Sequence, residues 1–141
     1  MENKWFITLT LPLLVLVSSK SMALPTVAQP QNCPSVAEIQ AVGVSNTPVQ
    51  DSDGLWFTGR RDQVYNTGSR WSFVIGKISA TSTSDAYNKA NLGLNTLSFE
   101  LGPVVGPIGK WVCYYRTTNF GYQAIAINPP IAINHVVPYL K

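Results

Sequence analysis

The sequence predicts an α+β domain in which an antiparallel sheet of about five strands carries two short helices packed on one face, with one disulfide. Three observations lead to this fold class. Apolar residues alternate with polar or small ones in several short segments, which is the pattern of half-buried strands. Two other segments place apolar residues at helical spacing behind a serine. The strands follow one another as a meander, which argues against a parallel sheet with its long crossovers.

The composition is that of one folded domain. The chain has 141 residues, of which 45% are hydrophobic and 12% are charged, with ten glycines and ten prolines. This length suits a single domain and is too short for two ordinary ones, which excludes a large multidomain enzyme. The low share of charged residues favours a loop-rich folded chain over a charged disordered one.

Residues 1–23 have the pattern of a secretory signal peptide. Lys4 supplies the positive start, residues 5–17 form an apolar run, and Ser21-Met22-Ala23 places small residues where a signal peptidase would cut before Leu24. The run is shorter than the roughly 20 residues of a membrane-spanning helix, so we expect no membrane span after cleavage. We predict export to the periplasm, the cell envelope or the extracellular space. A short buried helix is the alternative, which the continuous apolar run disfavours.

Cleavage of the signal peptide would leave a nearly neutral chain. It removes two positive charges, Lys4 and Lys20, and the negative charge of Glu2, so the formal net charge falls from +3 to +2. The only basic cluster is then Arg60-Arg61, whereas a nucleic-acid interface needs several Lys or Arg on one face. We therefore expect no nucleic-acid binding.

Cys33 and Cys113 are the only cysteines, and an even count in an exported chain predicts one disulfide. The bond would join the start of the domain to its late core. By restricting the unfolded chain it would stabilise the fold by about 4 kcal/mol. A competing interpretation treats Cys33-Pro34 as a thiolate haem-regulatory dipeptide, but oxidation to the disulfide would consume that thiolate.

The first predicted helix begins after a leader. Residues 24–32 have no periodic apolar face and are predicted to be disordered. Ser35 and Glu38 then have the spacing of a capping box, in which each side chain bonds a free amide of the first turn. A helix over residues 35–42 follows, and Gly43 stands where a left-handed residue ends a helix.

The next segments predict two strands. A strand at residues 55–57 follows a turn, and residues 60–69 are again polar. Trp71, Phe73 and Ile75 then lie at alternate positions, which is the period of a strand with one face on a core.

Ser84 is expected to cap a second helix. Its apolar residues recur at spacings of one, three and four, which places them on one side. These residues are Ala86, Tyr87, Ala90 and Leu94. Gly93 weakens the last turn of this helix.

The last third of the chain predicts three successive strands. Residues 97–101 alternate and end at the Gly102-Pro103 punctuation, and a longer hairpin loop leads to a strand over residues 111–116. A turn at residues 119–121 then returns the chain into a last strand over residues 122–127.

These elements form one α+β domain over residues 33–130. Asn128-Pro129-Pro130 ends the regular structure, and residues 131–141 follow as a C-terminal tail. An all-β barrel is the alternative if the second helix does not form.

The residue inventory argues against an enzyme. His135 is the only histidine, it lies in the tail, and the chain has no Gly-x-Ser-x-Gly elbow. No cluster of Cys and His suggests zinc, and no glycine-rich loop suggests phosphate binding. The acidic residues are scattered, so no carboxylate pair stands out. We therefore predict a protein without catalytic activity.

The strand at residues 111–116 is the best candidate for ligand binding. Aromatic residues on strands usually pack in a core. Because side chains alternate along a strand, Tyr114 and Arg116 should point away from the face that carries Cys113. One face of this strand could then bind a ligand while the other packs.

Short segments spread over roughly residues 33–130 carry a family resemblance. They are Cys33-Pro34-Ser35-Val36, Ala41-Val42-Gly43-Val44, Trp71-Ser72-Phe73, Thr96-Leu97-Ser98-Phe99 before Gly102-Pro103, Trp111-Val112-Cys113-Tyr114, Gly121-Tyr122 and Asn128-Pro129-Pro130. Together they resemble the haemin-binding protein (Hbp) family. These are small exported proteins of intracellular gamma-proteobacteria, mostly described only as a domain of unknown function.

The resemblance implies a haemin-binding or haem-uptake accessory protein with haem as its cofactor, but it assigns no iron ligand. Haem iron accepts His, Cys thiolate, Met or Tyr. Both methionines lie in the predicted signal peptide and both cysteines in the predicted disulfide, which leaves His135 and the tyrosines. We rank Tyr114 above His135, because a strand fixes its direction and Arg116 on the same face could pair with a propionate.

A second functional hypothesis stays open. The chain offers few possible iron ligands and has a nearly neutral surface. Both features also fit a secreted protein-interaction module, which binds an unidentified protein partner and no cofactor. The two hypotheses differ in whether haemin binds saturably.

Overall fold

The computed structural model describes Pro12 and residues 27–106, 109–118 and 120–140. The predicted signal peptide, apart from Pro12, lies outside these described residues. The elements in chain order are α1 (Val36–Val42), β1 (Val49–Gln50), β2 (Trp56–Gln63), β3 (Trp71–Ile78), α2 (Thr83–Asn95), β4 (Leu97–Val105), β5 (Trp111–Thr117), β6 (Gln123–Asn128), α3 (Ile133–Val136) and a final 3-10 turn (Val137–Tyr139). The predicted α+β fold class is confirmed.

The strands form one antiparallel sheet in the order β1-β2-β3-β6-β5-β4. β6, the last strand in the chain, therefore lies between β3 and β5 near the middle of the sheet. The helix α2 carries the chain from β3 to β4 at the far edge. β1 and β4 are the two edge strands of the sheet.

The two predicted helices pack on one face of the sheet, which we call the helix face. The serine half of the predicted α1 cap is confirmed, since the Ser35 hydroxyl accepts a hydrogen bond from the Glu38 amide at 3.2 Å and Gly43 ends the helix with a φ of 71°. The Glu38 carboxylate instead accepts a hydrogen bond from the Asn66 side chain at 3.1 Å. The core between helices and sheet is built from alternating strand residues and one side of each helix. It includes Ile39, Trp71, Phe73, Ile75, Ala90, Leu94, Cys113 and Tyr115.

The opposite face of the sheet has its own core, which the sequence analysis did not predict. Residues 131–140, expected in a tail, form α3 and the 3-10 turn and pack against β2 and β3. Val136 and Leu140 are 0% and 2% exposed and contact a cluster that includes Phe57, Val74 and Ile125. This segment is therefore part of the packed domain.

Two element boundaries differ from the prediction. β2 continues to Gln63 through residues whose side chains are exposed, so no apolar alternation marks this end of the strand. α2 begins at Thr83, because the hydroxyl of Ser82 and not that of Ser84 accepts a hydrogen bond from the Asp85 amide, at 3.1 Å. A cap hydroxyl therefore sets the start of α2, whereas β2 reaches Gln63 because this residue pairs with Trp71 of β3.

β4 also extends further than predicted. The predicted strand ends before Gly102-Pro103, whereas the observed strand passes through these two residues and continues to Val105. Two register shifts against β5 make this possible, one between Phe99 and Leu101 and one between Leu101 and Val104. Such bulges add an unpaired residue to one strand and let it continue past a break.

Candidate functional site

An N-terminal segment, residues 27–35, crosses the helix face of β5, and we call it the strap. It holds no helix or strand. Three helix-face side chains of β5 each fix one point of the strap: the Trp111 ring nitrogen donates to the Val27 carbonyl at 2.9 Å, Cys113 bonds Cys33, and the Tyr115 hydroxyl donates to the Pro34 carbonyl. Residues 27–32 fall in the predicted disordered leader, and the structure holds them against the sheet.

The predicted disulfide between Cys33 and Cys113 is confirmed. Cys113 is fully buried, and a side chain at Gly102 of β4 would place its Cβ 2.8 Å from the Cα of Cys113. A glycine is therefore required where β4 passes the disulfide. Disulfides of this kind are typical of oxidising compartments, and the bond leaves neither sulfur as a thiolate ligand.

The opposite face of β4 and β5 carries an exposed apolar area, which we call the open patch. It consists of Leu101, Val104, Tyr114 and Arg116. Leu101 pairs with Tyr114 and Val104 pairs with Val112, so these side chains share a face, and Leu101 and Val104 are 44% and 37% exposed. The C-terminal segment packs mainly over β2 and β3 and leaves this area accessible.

The first bulge of β4 reverses the direction of Leu101. The sequence pattern predicted Phe99 and Leu101 on one face. In the structure Phe99 pairs with Tyr115, edge to face at 5.8 Å between ring centroids, whereas Leu101 pairs with Tyr114 on the other face. β4 therefore presents an exposed apolar side chain on each side of the sheet.

Tyr114 and Arg116 lie where the alternation predicted, on the face away from Cys113. Tyr114 is half-buried between Leu101 of β4 and Ile125 of β6, and it lines a pocket of about 260 Å³ together with Glu100, Leu101 and Gln123. The exposed Arg116 forms no ion pair with any residue that the structure describes. The phenol oxygen and the cation of β5 thus lie beside the exposed apolar side chains of β4.

His135 is not brought into this pocket. It is exposed on α3, which contacts β2 and β3. Tyr114 lies on β5, which β6 separates from β3. With neighbouring strands about 4.8 Å apart, the strands beneath the two residues are separated by about 10 Å. The two candidate ligands therefore occupy different parts of the same face.

A scan of known families matches residues 32–136 to a family model described as "Domain of unknown function (DUF4949)". This match covers most of the chain, from just before Cys33 to the end of α3. The chain belongs to the DUF4949 family. No curated protein and no solved structure matches the chain. The matched stretch includes both cysteines and the short C-terminal helix.

A second cavity of the DUF4949 domain lies beside the disulfide on the helix face. It has a volume of about 420 Å³ and is lined by strap residues 31–35, by Val36, and by Phe99, Gly102 and Pro103 of β4. No sequence pattern predicts this cavity, because its walls come from the strap, from Val36 and from the continuation of β4. The single signal for it was the disulfide, which ties residue 33 to the sheet.

The described residues of the DUF4949 domain contain neither a membrane-spanning helix nor a metal-binding cluster. No helix there is long and apolar enough to cross a membrane. No three His, Cys, Asp or Glu side chains of residues 27–106, 109–118 and 120–140 come together as a metal-ion site.

Proposed function

We propose that this DUF4949 protein is an exported haemin-binding protein that holds haemin on the open patch. The observation that carries the proposal is the position of Tyr114, which is half-buried within an exposed apolar area. Arg116, two residues along the same strand, forms no ion pair with a described residue. The resemblance to the Hbp family supplies the ligand class. Membership of that family is part of the proposal.

The donor set favours Tyr114 as the iron ligand. The disulfide removes both sulfurs, and burial raises the pKa of the Tyr65 and Tyr115 phenols, which disfavours iron binding as a phenolate. Side chains on a strand stand roughly perpendicular to the sheet, so Tyr114 directs its phenol oxygen away from the sheet. His135 is exposed on a short helix, and none of the described residues accepts a hydrogen bond from its ring to orient it.

The remaining features of the patch suit a flat ligand with acidic groups. Leu101 and Val104 give apolar contact, and Arg116 is placed to pair with a propionate. A pocket of about 260 Å³ is below the usual size of enclosed small-molecule sites, about 300–1,000 Å³. We therefore propose that haemin lies on the surface with one side in solvent, which suits a carrier that passes its ligand on.

Export is the second part of the proposal. It is supported by the signal-peptide pattern of residues 1–23 and by a disulfide that an oxidising compartment would maintain. The proposed destination is the periplasm, the cell envelope or the extracellular space.

An absorbance titration with haemin tests the binding proposal on the oxidised protein. We expect a saturable shift of the Soret band at one haemin per chain. Tyr114→Phe should weaken binding by at least about tenfold and change the ligand-field bands, because it removes the donor oxygen and little else. The matched control is Tyr139→Phe, a half-buried tyrosine on the same face outside the patch.

A variant at His135 distinguishes the two candidate ligands. His135→Ala should bind haemin like the parent protein. Loss of binding in His135→Ala with retention in Tyr114→Phe would assign the iron to the histidine instead. Diffuse, non-saturating binding that neither substitution alters would show adsorption and overturn the proposal.

A further inference from the structure

The outer edge of β4 is an available hydrogen-bonding surface. β4 pairs with β5 on one side and is the last strand of the sheet among the described residues. Such an edge presents free backbone N–H and C=O groups. Its far end is already occupied, because the Gln29 side chain donates to the Pro103 carbonyl at 2.9 Å and Pro103 has no N–H. Within the part of the chain that the structure describes, the hydrogen bonds of Leu97–Leu101 go to β5 and none is seen on the outer edge of this stretch.

Apolar side chains flank this stretch on both faces. Phe99 is 50% exposed and lines the cavity of about 420 Å³ beside the strap, on the helix face. Leu101 lines the pocket of about 260 Å³ on the opposite face. The bulge between them is what places two apolar contacts close together along the edge but on opposite sides of the sheet.

The charge at this edge comes from Glu100, which lies at the bulge between the two apolar residues. It is exposed and forms no ion pair with any residue in the described part of the chain. A second copy pairing antiparallel through this same stretch would bring two Glu100 carboxylates together, and like charges facing each other across strands are destabilising. The charge therefore favours a different partner with a basic residue.

We propose that the Leu97–Leu101 edge of β4 binds an extended segment of a partner protein by strand addition. Only an extended backbone can pair with a strand edge. Since successive side chains of a strand point to opposite faces, two neighbouring apolar residues of the partner enter the two cavities, one on each side of the sheet. A basic residue next to that pair contacts Glu100. This proposal does not depend on haemin binding.

A synthetic peptide, acetyl-Thr-Lys-Phe-Val-Lys-Thr-amide, tests this arrangement on the full oxidised protein without haemin. The first control peptide, acetyl-Thr-Phe-Lys-Val-Lys-Thr-amide, has the same composition but places both apolar residues on one face. The second control carries N-methyl groups on alternate amides of the first peptide, which removes main-chain hydrogen bonds. We expect saturable binding of the first peptide, at least about tenfold tighter than either control.

Amide chemical shifts and protein variants locate the peptide. The shifts should change at residues 97–101 and in the strap. Phe99→Ser should weaken binding by at least about tenfold, whereas Leu92→Ser, an equally exposed apolar residue on α2, should not. Glu100→Lys should weaken binding of this peptide and strengthen binding of the version in which Glu replaces Lys.

Three results would overturn the proposal. One is no binding of the first peptide at millimolar concentration, and another is equal affinity for the three peptides. The third is a concentration-dependent dimer that Glu100→Lys or Phe99→Ser abolishes and the peptide does not dissociate, which would assign the edge to a second copy. Each result is independent of the haemin titration, so the two proposals can fail separately.

Discussion

The two faces of β5 have different roles, although their side chains alternate along the same seven residues. On the helix face, Trp111, Cys113 and Tyr115 each fix one point of the strap, by hydrogen bonds and one covalent bond. On the opposite face, Tyr114 and Arg116 belong to a surface that the rest of the domain leaves accessible. The alternation of a strand thus separates a stabilising surface from a surface free to bind, at adjacent positions of the chain.

Removal of the disulfide should have the largest effect, because it should lower the stability that the helix face provides and leave haemin binding on the opposite face unchanged. The bond closes a loop with a sequence separation of 80 residues, for which the chain-entropy model gives a stabilisation of about 4 kcal/mol. We expect the Cys33→Ser, Cys113→Ser double variant to lose about that much free energy of unfolding in urea denaturation.

The haemin affinity of the same double variant should be compared with that of the parent protein. Under conditions in which the double variant is still folded, the open patch should bind haemin as before. If stability were unchanged, or if haemin affinity fell together with stability, the two faces of β5 would not be independent.

The C-terminal segment provides the next largest effect. Leu140 is 2% exposed in the core of the opposite face, so Leu140→Ala should cost about 2–5 kcal/mol of stability. The matched change Leu92→Ala, at a leucine that is 51% exposed on α2, should stay within about 0.5 kcal/mol. Equal midpoints of thermal or urea unfolding in the two variants would mean that residues 131–140 do not complete the domain.

High pH should lower the stability of the fold through two phenols in the core of the helix face. Burial raises the pKa of the Tyr65 and Tyr115 phenols above their ordinary value of about 10. In the unfolded chain both phenols lose their protons near pH 10, whereas in the folded protein they keep them. The folded state therefore binds more protons, and the free energy of unfolding should fall above pH 10, by up to about 1.4 kcal/mol per pH unit for each phenol.

The two single variants separate the phenols. Tyr115→Phe loses the hydrogen bond to the Pro34 carbonyl and should cost about 1 kcal/mol at pH 7. Tyr65→Phe removes a buried hydroxyl that has no partner among the described residues, so it should cost nothing or stabilise. Both should reduce the slope of stability with pH above pH 10, and a slope that persists in the double variant would contradict this assignment.

Features decided by local chemistry could be predicted from the sequence. The α1 cap depends on residues three apart, and the β3 core side on a period of two. The disulfide followed from a count of two cysteines. The opposite directions of Tyr114 and Cys113 followed from the same period, because β5 contains no bulge against β6.

Features that depend on distant contacts could not be predicted in this way. The strap has no pattern of its own, and its contacts with β5 join residues about eighty positions apart. Leu101 follows Phe99 by two residues, so the period of two predicts both side chains on one face, and nothing in the sequence marks the bulge that turns Leu101 to the other face. The C-terminal segment does carry a local signal, because Ile133, Val136, Val137 and Leu140 have helical spacing, although a proline lies between them.

The central position of β6 sets the order in which the sheet can be completed. The hairpin of β2 and β3 and the pair of β4 and β5 each form from neighbouring parts of the chain, but they share no strand pairing until β6 lies between them. A chain that emerges amino end first must therefore expose both halves until residues 123–128 are free. Cooperative folding waits for almost the entire chain, so a polypeptide paused during translation or translocation stays without its completed sheet.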